Sequence, residues 1–275
     1  MTNDAFRLAV WGDPIDHSRS PQLHGAAYAA LGLDWEYGRR RVDADGFDDA
    51  VNSLDGTWRG LSLTMPLKER ARAWADTVDD DAALTGAVNT LLLGESSRGY
   101  NTDVGGLVQA LRENGLGEIS TARILGAGAT ARSALVTLAR LGAGSTEIVA
   151  RTPAKASALI DLAEQLGIRC VAVPFGTAVA PVDVTVSTLP SGTVPDPHVV
   201  SALASNGGAL FDAAYAPWPS ALAAGWSDAT IVSGIEMLLQ QAVLQVRIFV
   251  QGDPAAPLPD EAAVVGVMRA ALMGD

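Results

Sequence analysis

A glycine turn between a strand and a helix constrains the fold of this chain more than any other feature. Residues 124–132 read ILGAGATAR, so an apolar strand precedes the glycines and a helical pattern follows them. Gly126 permits a tight turn, Gly128 lets the backbone approach a pyrophosphate, and the helix N-terminus supplies N–H groups for an anion. The strand before the turn and the helix after it favour a dinucleotide-binding loop over a purely structural turn.

Short apolar strands alternate with helical patterns along most of the chain. The alternation is most regular in the middle of the chain, where it predicts a parallel sheet with helices on both faces. The predicted fold class is α/β, with two α/β domains. We expect a substrate domain over 1–103, completed by helices in 234–275, and a nucleotide domain over 104–233. Strands are expected at 8–11, 35–39, 60–63, 88–93, 123–125, 147–150, 169–173, 182–186, 209–211 and 230–232.

Cap signals predict where three helices begin. Ser20 and Thr64 each precede a proline by one or two residues, which is the order of an N-cap followed by a proline in the first turn. Asp103 is expected to cap a helix that continues to about Glu113. Further helices are expected at 129–141, 153–166, 235–250 and 261–273.

Charge and composition exclude several classes of partner. The net charge of −12 and the absence of a Lys/Arg-rich run argue against a nucleic-acid or anionic-membrane surface. The single Cys170 excludes an internal disulfide, and the three histidines lack the carboxylate spacing of a metal site, so no metal is expected. With no signal peptide and no apolar run of 18 residues, the expectation is a cytoplasmic protein.

The end of the strand after the glycine turn indicates which dinucleotide binds. NAD enzymes usually place an acid there to hold the ribose 2′-hydroxyl. This chain has Arg151 and Thr152 at that position, followed by Lys155, and these groups suit a 2′-phosphate. NADP is therefore predicted over NAD.

Four polar segments in the first domain carry the candidate substrate groups. They are 18–21 (SRSP), 61–68 (LSLTMPLK), 86–90 (GAVNT) and 101–103 (NTD), and each lies at a strand end or a helix start. Their hydroxyls, amides, one amine and one carboxylate suit a polyhydroxylated small molecule. Lys68 and Lys155 are the only lysines among the 19 basic residues, and both fall in candidate segments.

These segments together resemble the NADP-dependent shikimate dehydrogenase family, and the match runs from Val10 to Gln241. The resemblance implies a substrate domain and a Rossmann-type NADP domain. It implies that Lys68 and Asp103 are catalytic. The implied substrate-binding residues are Ser18, Ser20, Thr64, Asn89, Asp103, Tyr215 and Gln241. The implied cofactor-binding residues are Gly126, Ala127, Gly128, Ala129, Thr130, Arg151, Thr152, Lys155, Ala213, Gly234 and Met237. The chain departs from the family pattern at Ser62, Ala129, Ala150 and Ser187, where the family commonly has Asn, Gly, Asn and Asn.

The resemblance implies reversible reduction of 3-dehydroshikimate to shikimate in chorismate biosynthesis. Lys68 is expected to exchange a proton with the reacting oxygen, and Asp103 to orient it. An NAD-dependent quinate/shikimate dehydrogenase and an aminoshikimate dehydrogenase remain alternatives, as does a non-catalytic NADP-sensing module. Ser20 rather than Thr argues against quinate, because the resemblance implies that the smaller side chain suits the carboxylate on the planar carbon of shikimate and not the extra hydroxyl of quinate. We expect a monomer or a homodimer that binds small molecules and neither nucleic acid nor membrane.

Overall fold

The computed structural model describes residues 5–177, 180–226 and 229–274, and the chain forms two compact units. The first unit consists of Met1–Thr102 and Gln241–Asp275, and the second consists of Asp103–Gln240. The functional division expected from the sequence, after 103 and before 234, stays a prediction.

The first unit is built on a mixed sheet with the strand order β2-β1-β3-β5-β6-β4. β1 pairs in parallel with β2 and β3, whereas β5 runs antiparallel to both β3 and β6. The antiparallel pair arises because only residues 93–97 connect β5 to β6, which is too short for the crossover that parallel strands need. The strands are β1 (Arg7–Gly12), β2 (Glu36–Arg41), β3 (Trp58–Leu63), β4 (Thr77–Val78), β5 (Thr90–Leu92) and β6 (Arg98–Tyr100).

Helices pack against this sheet around an aromatic and aliphatic core. Trp11 is fully buried and makes edge contacts with Phe47 and Trp58. Burial of such side chains is the main favourable contribution to folding of the unit. The helices of the first unit are α1 (Ser20–Ala30), α2 (Phe47–Asn52), α3 (Lys68–Trp74), α4 (Asp80–Thr85) and α11 (Glu261–Met273). Two further helices, α5 (Thr102–Glu113) and α10 (Gly234–Gln251), cross the boundaries between the units, and the apolar residues Val104, Leu107 and Leu111 of α5 lie in the core of the second unit.

The second unit contains an all-parallel sheet with the strand order β12-β11-β10-β7-β8-β9. Counted from its first strand, this is the order 6-5-4-1-2-3 of the doubly wound dinucleotide-binding fold. The sequence prediction of an α/β fold with a Rossmann-type domain is confirmed. The strands are β7 (Thr121–Leu125), β8 (Ser145–Ala150), β9 (Arg169–Pro174), β10 (Val184–Ser187), β11 (Ala209–Asp212) and β12 (Ile231–Ser233).

The helices of the second unit cover that sheet and bury an aliphatic core. Ala134, Leu135 and Leu138 on α6 face Ile124 and Ile148 of the central strands in one cluster. Alanine, valine and leucine build this core, as the low aromatic content of the chain requires. The helices are α6 (Ala129–Arg140), α7 (Ser157–Gln165), α8 (Pro197–Ala204) and α9 (Ala221–Ala224), and a 3-10 turn at Pro153–Ala156 precedes α7.

The cap predictions for Ser20 and Thr64 are wrong. Ser20 is the first residue of α1, whose N-cap is Arg19 without a side-chain cap bond. α3 begins only at Lys68, because the backbone first turns between Thr64 and Leu67. The prediction that Asp103 caps α5 is also wrong, because the helix begins at Thr102 and Asp103 lies within its first turn. The hydroxyls of Ser20 and Thr64 therefore do not cap helices.

Candidate functional site

The glycine turn lies where β7 passes into α6. Gly126 has φ +108°, a conformation that glycine adopts without strain, and a Cβ there would lie 2.6 Å from Thr188 Oγ1. Its N–H donates to the Val149 carbonyl on β8 at 2.9 Å. Gly128 is the N-cap of α6, and a Cβ there would meet no atom within 4 Å. The turn therefore leaves open space at the N-terminal end of a 12-residue helix, which suits a pyrophosphate.

Cationic groups follow the neighbouring strand. Arg151 and Thr152 come directly after β8, and both are exposed. Lys155 is exposed on the 3-10 turn, where its backbone N–H donates to the Thr152 carbonyl at 2.9 Å. β8 pairs with β7, so these groups lie at the same sheet edge as Gly126. The residues present fit NADP, because two cations and a hydroxyl stand where an NAD enzyme has an acid.

The last strands hold the remaining cofactor candidates in a close backbone contact. A Cβ on Gly234 would lie 2.2 Å from the Ala213 carbonyl oxygen, so only glycine fits there. Asp212 is buried and accepts hydrogen bonds from the Ala214 N–H at 3.2 Å and from the Ser220 hydroxyl at 2.5 Å. These bonds hold the segment that carries Tyr215. Met237 is buried in the core of the second unit.

In the first unit, the candidate substrate residues follow the carboxyl ends of β1 and β3. The Ser20 N–H donates to Ser18 Oγ at 3.3 Å, which keeps the two serines together. The Thr64 N–H donates to the Trp11 carbonyl of β1 at 3.0 Å. Lys68 opens α3, and its carbonyl accepts from the Val88 N–H at 2.9 Å. In open α/β sheets, the edge where the strands end is the usual ligand-binding edge.

Asn89 is held at the same edge by a buried hydrogen-bond network. Its side-chain amide donates to Thr102 Oγ1 at 2.9 Å, and its Oδ1 accepts from the Thr102 N–H and the Thr90 hydroxyl, each at 2.9 Å. Asn101 donates to Thr85 Oγ1 at 2.9 Å. This network fixes the plane of the Asn89 amide, as a group that positions a ligand requires.

Two of the candidates belong to different units. Lys68 lies in the first unit, whereas Asp103 begins the second. Asp103 and Gln241 are both largely buried. The pairing of Lys68 with Asp103 around a reacting hydroxyl stays a prediction.

Sequence reasoning did not identify Gln245 as a member of this region. Gln245 Oε1 accepts from the Ser62 hydroxyl at 2.8 Å and lies 3.1 Å from His24 Nε2. Its amide nitrogen donates to the Asn89 carbonyl and to Thr90 Oγ1. A signal was present, since Gln245 lies four residues after the candidate Gln241 and so shares its helix face.

His24 is fully buried below these polar residues. Burial lowers its pKa to about 3, although the hydrogen bond to Gln245 favours the charged form. Its ring stacks on Tyr37 with the centroids 4.0 Å apart. Its Nδ1 lies 3.1 Å from the hydroxyl of Tyr28. His24 is therefore neutral in the folded protein at neutral and mildly acidic pH.

This burial predicts a loss of stability in mild acid. Because the folded pKa lies below the unfolded value near 6.5, protons bind the unfolded chain first as the pH falls below that value. We expect His24 to reduce the free energy of unfolding by about 2 kcal/mol between pH 7 and pH 5. Urea unfolding of wild type and His24→Asn at both pH values measures this, and the variant should lose that part of the pH dependence.

His198 provides the control for this experiment, because it is exposed in the second unit. His198→Asn should keep the wild-type difference between pH 7 and pH 5. An unchanged pH dependence in His24→Asn would contradict the assignment of the acid sensitivity to His24.

Within residues 5–177, 180–226 and 229–274, no group of three His, Cys, Asp or Glu side chains is arranged to hold a metal ion. Among the helices described, none is both long enough and apolar enough to cross a membrane.

Comparison with known proteins relates the whole chain to one family. Residues 10–91 match the model of the shikimate dehydrogenase substrate-binding domain. The chain is 37% identical to the NADP(+) shikimate dehydrogenase of Methanothermobacter thermautotrophicus, covering 95% of this chain and 97% of that protein.

Solved structures agree with this relationship. A shikimate 5-dehydrogenase from Mycobacterium fortuitum is 40% identical, with a TM-score of 0.84, over 98% of this chain and 99% of that one. A Thermus thermophilus shikimate 5-dehydrogenase, solved in complex with NADP(H) and shikimate, is 29% identical with a TM-score of 0.80, over 97% and 99% of the two chains. With a relative of this identity over nearly its full length, the chain belongs to the shikimate dehydrogenase family.

Proposed function

We propose that this protein is an NADP-dependent shikimate dehydrogenase, which reversibly reduces 3-dehydroshikimate to shikimate for chorismate biosynthesis. The observation that carries this proposal is the match over 95% of the chain to a relative named for this activity. The glycine turn, the cations after β8 and the polar edge of the first unit agree with it.

In this proposal, different residues transfer the proton, orient the substrate and bind its hydroxyl groups. NADPH supplies the hydride when bound, so the protein must orient the ketone and supply a proton to its oxygen. Lys68 Nζ donates this proton in reduction and receives it in oxidation. Asp103 orients Lys68 and binds the neighbouring hydroxyl, and Asn89 holds another substrate hydroxyl.

The substrate carboxylate is assigned to Ser18 and Ser20. Hydroxyl donors suit this role in a chain of net charge −12, because a neutral donor binds the anion without a salt bridge. Thr64, Tyr215 and Gln241 complete the substrate contacts in this proposal, and Gly234, Ala213 and Met237 border the nicotinamide.

An NAD-dependent quinate/shikimate dehydrogenase is the second candidate. Arg151 and Lys155 favour NADP, and the small Ser20 favours shikimate. The test is an assay at the NADPH absorbance band, with shikimate and quinate each offered with NADP and NAD. The proposal expects the highest kcat/KM for shikimate with NADP, and equal or better rates with quinate and NAD would refute it. Absence of turnover in all four combinations would refute enzyme activity of this class.

Removal of Arg151 should weaken NADP binding selectively. A charge-assisted hydrogen bond to the 2′-phosphate is worth about 1.5–3 kcal/mol, so Arg151→Ala should raise KM for NADP roughly 10- to 100-fold. KM for NAD, which lacks that phosphate, should hardly change. Steady-state kinetics with both cofactors measures the difference.

Arg169 is a matched control, because it is also exposed but lies at the start of β9, where the amino-terminal ends of the parallel strands meet, away from the glycine turn. Arg169→Ala should leave both KM values unchanged. Equal losses for NADP and NAD in Arg151→Ala would contradict a role in reading the 2′-phosphate.

A further inference from the structure

Gln245 connects helix α10 to Asn89, the residue assigned to a substrate hydroxyl. Its amide nitrogen donates to the Asn89 carbonyl at 3.3 Å and to Thr90 Oγ1 at 3.0 Å. Its Oε1 accepts from the Ser62 hydroxyl at 2.8 Å and lies 3.1 Å from His24 Nε2. Both protons and both lone pairs of this amide therefore have partners, and the residue is only 2% exposed.

The surrounding groups fix the orientation of the Gln245 amide. The Asn89 carbonyl can only accept a hydrogen bond, so Nε2 of Gln245 faces it and Oε1 faces Ser62. The reversed amide would place its oxygen against a carbonyl oxygen in a buried region, where an unpaired polar atom reduces stability. Gln245 is therefore a donor towards Asn89 and Thr90 and an acceptor towards Ser62.

The donor side of Gln245 also reaches the side chain of Asn89, through Thr90. Because Thr90 Oγ1 receives a proton from Gln245, its own proton is directed at Asn89 Oδ1, which lies 2.9 Å away. Asn89 Oδ1 also accepts from the Thr102 N–H at 2.9 Å. Two donors thus hold the Asn89 oxygen, and Gln245 directs one of them while it also binds the Asn89 backbone.

We propose that Gln245 is a positioning residue for the substrate, which acts by fixing Asn89 through its carbonyl and through Thr90. This inference rests on the proposed function, in which Asn89 binds a substrate hydroxyl. An amide that is already held in place binds a ligand without the cost of ordering it first. Without Gln245, the Thr90 hydroxyl is no longer directed at Oδ1, and the Asn89 amide is held less firmly. All of these residues belong to the first unit.

Removal of the Gln245 amide should weaken substrate binding selectively. Gln245→Met removes both donor bonds and keeps a side chain of similar length. It should raise Kd for shikimate roughly 2- to 12-fold, the worth of one neutral hydrogen bond. KM for NADP should stay unchanged, because the cofactor is assigned to the glycine turn and the cations after β8. Titration calorimetry measures Kd, and steady-state kinetics measures KM for NADP.

A double-variant cycle separates positioning from simple support of the fold. Because Gln245 acts through the Asn89 amide in this proposal, Gln245→Met should not raise Kd any further in an Asn89→Ala background. A general loosening of the first unit would instead raise Kd by the same factor in both backgrounds. The melting temperature should fall in both backgrounds, since the buried partners of Gln245 lose their bonds in each.

Arg59 provides a matched control on the same helix. Its Nε donates to the carbonyl of Phe249 on α10 at 2.8 Å, one turn beyond Gln245, and it takes part in none of the bonds named above. Arg59→Met therefore weakens the attachment of α10 to β3 and leaves the bonds to Asn89 in place. It should lower the melting temperature and leave Kd for shikimate unchanged.

Gln245→Glu is a second variant that serves if Gln245→Met does not fold. It keeps an oxygen towards Ser62 and His24 but replaces the amide nitrogen with an oxygen. As a carboxylate it cannot donate to the Asn89 carbonyl or to Thr90. We expect a similar rise in Kd for shikimate, again absent in the Asn89→Ala background.

The outcomes separate this inference from the proposed function. An unchanged Kd in the folded Gln245 variants, or an equal rise in the Asn89→Ala background, overturns the inference, and wild-type turnover then leaves the proposed function intact. Wild type that binds shikimate without turning it over refutes the proposed function alone, because Kd of the variants still reports on Asn89. Wild type that does not bind shikimate refutes both.

Discussion

Lys68→Ala should lower kcat for shikimate oxidation by about 10²- to 10⁴-fold, the range that a positioned general acid or base contributes. KM for NADP should hardly change, because the cofactor is assigned to the glycine turn and the cations after β8. Lys68→Arg should lose kcat similarly, since a guanidinium keeps its proton at any pH that the protein tolerates. Steady-state kinetics at saturating shikimate and NADP measures both variants.

Lys155 is a fitting comparison, because it is the only other lysine of the chain. Lys155→Ala should raise KM for NADP and retain most of kcat, so the two lysines should show opposite patterns. Near-normal turnover in Lys68→Ala or Lys68→Arg would remove Lys68 from the chemistry and leave it only a binding role.

Glu147→Gln should reduce the free energy of unfolding of the second unit by about 3–5 kcal/mol, because it leaves a buried cation without its carboxylate. Arg123 is fully buried on β7, and its Nε donates to Glu147 Oε2 on β8 at 2.8 Å. Its remaining N–H groups meet backbone carbonyls, including that of Leu203 near the end of α8. These carbonyls cannot replace the charge of Glu147. Urea unfolding followed by circular dichroism measures the change.

An exposed ion pair tests whether burial causes this effect. The Arg70–Asp48 pair has both side chains about half exposed, so Asp48→Asn should cost less than about 1 kcal/mol. A loss in Glu147→Gln as small as that in Asp48→Asn would show that the buried pair contributes no more than a surface pair.

The glycine turn, the strands of the nucleotide domain and its helices α6 and α7 were predictable because their signals are local, whereas the short helices α8 and α9 were not predicted. Gly126 needs a positive φ, and β7 and α6 follow from apolar runs of consecutive residues. α11 was predicted with the bounds that the structure has, Glu261–Met273. The exact starts of the helices near Ser20 and Thr64 were less predictable. Serine and threonine are common at helix N-caps, but they are also common in turns and in ligand-binding sites, so the residue type alone does not tell these roles apart.

The sequence by itself determined the α/β class, the dinucleotide loop and the polar segments, since each depends on residues close together in the chain. Only the tertiary structure decided which side chains far apart in the sequence form hydrogen bonds with each other. His24 and Ser62 both reach Gln245 although 221 and 183 positions separate them. Such contacts depend on how elements pack, and no periodicity or spacing in the chain specifies them in advance.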